Sequence, residues 1–234
     1  MTGETIGPTP RQLQWRASRG VLLVELLLVT ALFAADAHHM VPFSKTPWLL
    51  LLGWGSLRLR GIRWQEIGFS IDSKWREYAL AGVFAGIVIE ALELFVTQPL
   101  LAKATGQLPD LSDFSDMVGN FYLLSRMLVA TWVVFALGEE LVWRGYVLNR
   151  LADLFGRNQG GWAVALVLCS VAFGEAHAYQ GSIGVIENII DGALLAGLYL
   201  ACGRNLLAPV IAHGVTDTVD FLLIFSGHYP GVGQ

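Results

Sequence analysis

Most of the chain between Gly20 and Phe225 consists of apolar runs long enough to matter to a bilayer, and charged residues are placed inside several of them. A transmembrane helix needs about 20 predominantly apolar residues. The runs cover residues 20–35, a shorter one at 47–57, then 75–101, 119 to about 154, 161–177, 183–201 and 206–225. They predict an all-α, polytopic transmembrane bundle of about seven helices. Residues 62–74, polar with scattered apolar side chains, read as an interfacial linker. Residues 102–117, with Pro109, Asp110, Asp113 and Asp116, read as a loop. The run at 119–154 is long enough to span the membrane and extend into the cytosol. Composition agrees: 54% of the 234 residues are hydrophobic and 15% are charged, against about a quarter charged in soluble domains. The length suits one integrated domain, in which residues 1–118 supply N-terminal helices and the linker and residues 119–226 the helix core.

Arg and Lys in short loops mark the cytoplasmic side. Arg11, Arg16 and Arg19 precede the first run; Arg58, Arg60, Arg63, Lys74 and Arg76 flank the linker; Arg150, Arg157 and Arg204 fall between later runs. The acidic loop falls opposite. The expectation is a multi-pass protein with a cytoplasmic N-terminus and the segment from His228 outside. No small-residue cleavage site follows the first run, which reads as a retained helix and not a signal peptide. The net charge of −4 argues against a nucleic-acid partner. Cys169 and Cys202, both in apolar runs, form neither a disulfide framework nor a CxxC site.

A charged group inside a span costs several kcal/mol and marks function by default. Three clusters qualify. In the first, Glu139 and Glu140 are adjacent, and Arg144 follows Glu140 by one helical turn on the same face. The spacing predicts a structural Glu140–Arg144 ion pair and leaves Glu139, rotated by about 100°, as the free carboxylate. Alternatively both glutamates are buried ion-pair glue. In the second, Phe173 and His177 share a face, while Glu175 points elsewhere. In the third, His213 and Asp217 are again one turn apart; Asp217 can fix the tautomer of His213, or the pair can present donors to a common point. Each cluster alone is compatible with helix packing. Three of them on three separate spans predict a polar site inside the bundle. Glu25, Glu90, Glu93, Glu187, Asp191 and Asp220 are further acids in apolar runs. Glu187 and Asp191, one turn apart, are candidates to line a water-filled cavity leading to the site.

In these motifs the sequence resembles the CAAX prenyl protease type II group, also called the CPBP or Abi family. Its pattern is EExxxR, then FxxxH, then HxxxN or HxxxD on successive helices. Here these are Glu139 and Glu140 with Arg144, Phe173 with His177, and His213 with Asp217. The glycine-rich stretch 191–199 and the lead-in 205–213 also resemble the family, with Leu207 where tryptophan is common; the resemblance covers roughly residues 119–225. It implies an intramembrane endopeptidase acting on a membrane peptide or protein, a prenylated CAAX peptide being the best-known target. By that resemblance Glu139 and His177 activate water, and His213 and Asp217 stabilise the oxyanion. Glu140, Arg144 and Phe173 give structural support. Asp217 stands where many members have asparagine, so its donor role requires the protonated acid.

The resemblance implies no cofactor. Three rivals stand beside it. His177, His213 and Glu139 could bind zinc in a metalloprotease, although no H-E-x-x-H is present. The site could serve binding alone, as in bacteriocin-immunity or scaffold members of the family. The intramembrane acids could carry ions or protons, although no inverted repeat is visible.

Overall fold

The computed structural model describes residues 18–38, 40–42 and 45–232, so Arg11 and Arg16 lie outside the described residues. Each apolar run within them is a helix: α1 (Arg19–Ala37), α2 (Lys45–Arg60), α3 (Trp75–Thr105), α4 (Phe121–Phe155), α5 (Gln159–Glu175), α6 (Gly181–Ala201) and α7 (Leu207–Ser226). α1, α3, α4, α7, and α6 together with the turn Ala178–Gln180, are long and apolar enough to cross a membrane. α2 and α5, at 16 and 17 residues, are shorter than that. α2 ends in Arg58 and Arg60, and α5 is bounded by a break at Gly156 and a turn after Glu175. The protein is a polytopic helical membrane bundle, and large apolar side chains such as Leu27, Leu80, Phe84, Phe95 and Val129 face outward, toward lipid.

Side chains that accept from free backbone amides set several helix starts. Asn120 accepts from the Leu123 amide and starts α4; Asn158 accepts from the Gly161 amide and starts α5.

Because lipid supplies no hydrophobic drive between helices, small residues that allow close approach set the packing. α3 runs along α7, and its Gly82-x-x-x-Gly86 step is the reason. A Cβ at Gly82 would lie 2.6 Å from the Ala208 carbonyl oxygen, and one at Gly86 2.7 Å from that of Ala212. α5 runs along α6 in the same way, with Gly174 against the Val185 carbonyl and Gly192 against Ser170 and Phe173. Only 17% of the apolar window of α1 is buried inside the protein, against 44% for α7, so α7 is the central helix.

The long helix α4 does not keep α-helical hydrogen bonding. Residues Thr131–Glu139 and Leu141–Val147 take the wider i→i+5 pattern, a rare geometry found often at functional sites. Its C-terminal part is packed inside the protein: residues 142–150 are all buried. There the Asn149 amide lies within hydrogen-bonding distance of the Arg144 and Gly145 carbonyls and the Tyr199 hydroxyl, and Tyr199 in turn donates to the Ile67 carbonyl. This joins the linker to the core. At Gly68, φ is +97° and a Cβ would collide with the Arg204 carbonyl. The Gly68 carbonyl accepts from the Leu206 amide and so helps fix the start of α7.

Candidate active site

Arg144 is the hub of the polar interior. It is 1% exposed, and its Nη1 donates to Glu140 Oε1, as the spacing predicts. Its Nη2 donates to the Gly192 carbonyl at 3.2 Å, which ties α4 to α6. Its guanidinium lies 4.6 Å from the centre of the Phe173 ring, a cation–π contact. Glu140 also takes part in a link that spacing along one helix cannot reveal: its Oε1 is 2.9 Å from His213 Nδ1, across to α7. The other ring nitrogen, His213 Nε2, is 3.5 Å from Asp217 Oδ1. His213 thus has a carboxylate facing each nitrogen. One motif lies across the other, and the Glu140–Arg144 pair both braces the helix and orients the histidine.

Phe173 holds the second motif in place. Its ring is 4.8 Å from that of His177, 6.2 Å from that of His213 and 5.4 Å from that of Trp143. The His177 ring is oriented by its own helix end: Nδ1 lies 2.9 Å from the Phe173 carbonyl oxygen. A carbonyl only accepts, so Nδ1 carries the hydrogen, and Nε2 of the neutral ring is left as an acceptor. His177 lies past the end of α5, in the turn that follows Glu175. The apolar run read as reaching residue 177 is thus helical only to Glu175. Glu175 is exposed.

Glu139, His177, His213 and Asp217 all line one cavity of about 170 Å³. Glu139 Oε2 is buried and has no hydrogen-bond partner in the protein. Pro109 and Leu111 of the acidic loop line the same cavity, and the Asp110 amide donates to the Gln180 carbonyl at 2.8 Å, holding that loop beside the turn after His177. The Asp110 carboxyl is held below its ordinary range by donation from Ser112. Glu187 and Asp191 line the cavity as well, with Glu93 and Asp220. Glu25 does not; it accepts from Ser56 and Arg60 between α1 and α2. Cys169 is buried with its thiol against the Trp143 carbonyl. Among the described residues, no three His, Cys, Asp or Glu side chains are arranged to hold a metal ion.

Sequence reasoning missed the Glu140–His213 contact and the glycine step of α3 that lets α7 approach. The second left a visible signal, Gly82-x-x-x-Gly86.

Fold and site together define a helical membrane protein with a glutamate–histidine centre inside its bundle. Residues 122–219 match the Rce1-like family model, described as type II CAAX prenyl endopeptidase Rce1-like. All three motifs lie within that matching segment. No curated protein and no solved structure matches the chain.

Proposed function

We propose that the chain is an endopeptidase that hydrolyses a peptide bond of a membrane-associated substrate, with water as the nucleophile and a prenylated CAAX-type peptide as the first substrate to test. One observation carries the reading: Glu139, His177, His213 and Asp217, from separate helices and a turn, line a single cavity in which a Glu139 oxygen has no protein partner.

Glu139, with His177 Nε2 as acceptor, takes a proton from water while the water oxygen bonds to the scissile carbonyl carbon. The carbonyl π electrons move to oxygen, and the oxyanion meets the Nε2–H of His213 in its doubly protonated form, whose Nδ1–H faces Glu140, and the acid form of Asp217. Collapse of the intermediate breaks the C–N bond, and the proton held by Glu139 passes to the departing amine. A positioned base contributes about 10²- to 10⁴-fold, and each oxyanion donor about 3 kcal/mol. Arg144 and Glu140 act by holding His213 in position. The reading needs no metal and no cysteine.

The test is cleavage of a quenched farnesylated CAAX peptide by the full chain in detergent, for wild type and Glu139→Ala. Cleavage that is lost in the variant and unchanged by a chelator is expected. Loss of activity with chelator moves the chemistry to zinc, and cleavage that survives Glu139→Ala overturns the assignment.

A further inference from the structure

Beyond the residues assigned to hydrolysis, the cavity has a second wall. Glu93 of α3, Glu187 and Asp191 of α6, and Asp220 of α7 line it. Glu93 Oε1 accepts from the Tyr229 hydroxyl at 2.9 Å and from Gln98 Nε2 at 3.1 Å, both neutral donors. Glu187 is 4% exposed, and its Oε1 has no hydrogen-bond partner. Asp220 Oδ1 has none either. Glu90, one turn before Glu93 on α3, is 4% exposed and faces another acid, Asp220, in place of a basic group. Among the described residues, no Lys or Arg forms an ion pair with any of these five acids.

Buried carboxyl groups without partners are costly, and one cation meets the need of several at once. The described residues offer no three-ligand metal arrangement. A positive charge on a long flexible arm fits better. Ile89, Leu195, Phe221 and Ile224 line the cavity beside the acids, and apolar walls of this kind accept the methylene stem of a lysine while its ammonium reaches the carboxylates. The acids share the cavity with Glu139 and His177, so a side chain lodged among them belongs to a peptide whose backbone lies at the reacting groups.

We propose that Glu93, Glu187, Asp191 and Asp220 form a subsite for a basic side chain, lysine or arginine, of the peptide substrate. This rests on the protease reading for the identity of the ligand, but its test does not depend on cleavage. The probe is a set of fluorescent farnesylated peptides in which one lysine is walked along the sequence, each with a norleucine twin. Binding is measured to the full chain in detergent, carrying Glu139→Gln so that the peptide stays whole. At one or more positions lysine is expected to bind at least about tenfold tighter than norleucine, as a buried charged contact gives. Adding Glu187→Gln or Asp191→Asn brings that ratio to near one, and adding Glu77→Gln, at an exposed site, leaves it. Thermal unfolding confirms that each variant is folded, and either of the two cavity variants suffices.

A ratio near one at every position, a ratio unmoved in the folded variants, or no binding of any peptide overturns the subsite. Cleavage by wild type without lysine preference overturns the subsite alone. Lysine-selective binding without cleavage by wild type overturns the protease reading and leaves a cationic-peptide site.

Discussion

The interior holds two polar regions that solve the problem of buried charge in opposite ways. Around Arg144, every strong acceptor has a basic neighbour: Glu140 faces both a guanidinium and an imidazole, and His213 stands between Glu140 and Asp217. Around Glu93, the acids meet a phenol, an amide and one another, Glu90 against Asp220 and Asp191 against Glu93, with no ion pair to a basic side chain among the described residues. A region whose charges are paired ties its helices together, even though Glu140 Oε2 and Arg144 Nε have no hydrogen-bond partner. A region that lacks its counter-charge is built for something that arrives from outside.

Substitutions can break that contrast, the largest effect first. In the hydrolytic wall, Glu139→Gln should lower kcat by about 10²- to 10⁴-fold with little change in thermal unfolding. A comparable loss from Asp191→Asn would make the two walls one catalytic unit. In the paired region, Glu140→Gln leaves Arg144 buried without its counter-charge. That should cost about 3–5 kcal/mol in denaturant unfolding in detergent. Glu90→Gln, which removes a buried carboxyl that faces another acid and no ion pair, should cost less than about 1 kcal/mol or stabilise. Equal losses from the two would erase the distinction drawn above. Gly86→Val, which drives side-chain atoms into the Ala212 carbonyl, should cost about 1–3 kcal/mol and also reduce cleavage, because it pushes α7 and His213 away from α4. Intact cleavage would mean that the close step serves packing only. In the acidic wall, Glu187→Gln should remove the lysine preference, about 1.4 kcal/mol for a tenfold ratio.

Legibility in the sequence followed the helix. Glu140 and Arg144, Phe173 and His177, and His213 and Asp217 were readable as pairs because residues four apart lie together on any helix, and each pair does so here. The widened turns of α4 were not readable: the i→i+5 pattern at Thr131–Glu139 and Leu141–Val147 breaks no propensity rule that a residue list displays. Nor was the end of α5 at Glu175, two residues before His177, readable, since where a helix gives way to a turn depends on what packs against it.

By itself, then, the sequence determined the membrane bundle, the order of its helices and the three charged motifs, because apolar length and four-residue spacing are properties of single segments. Only the tertiary structure decided that Glu140 holds His213, that His177 turns back to the same cavity, and that acids from α3, α6 and α7 form its second wall. Those are distances between helices, and they depend on how closely glycine and alanine faces such as Gly82, Gly86, Ala208 and Ala212 let separate backbones approach.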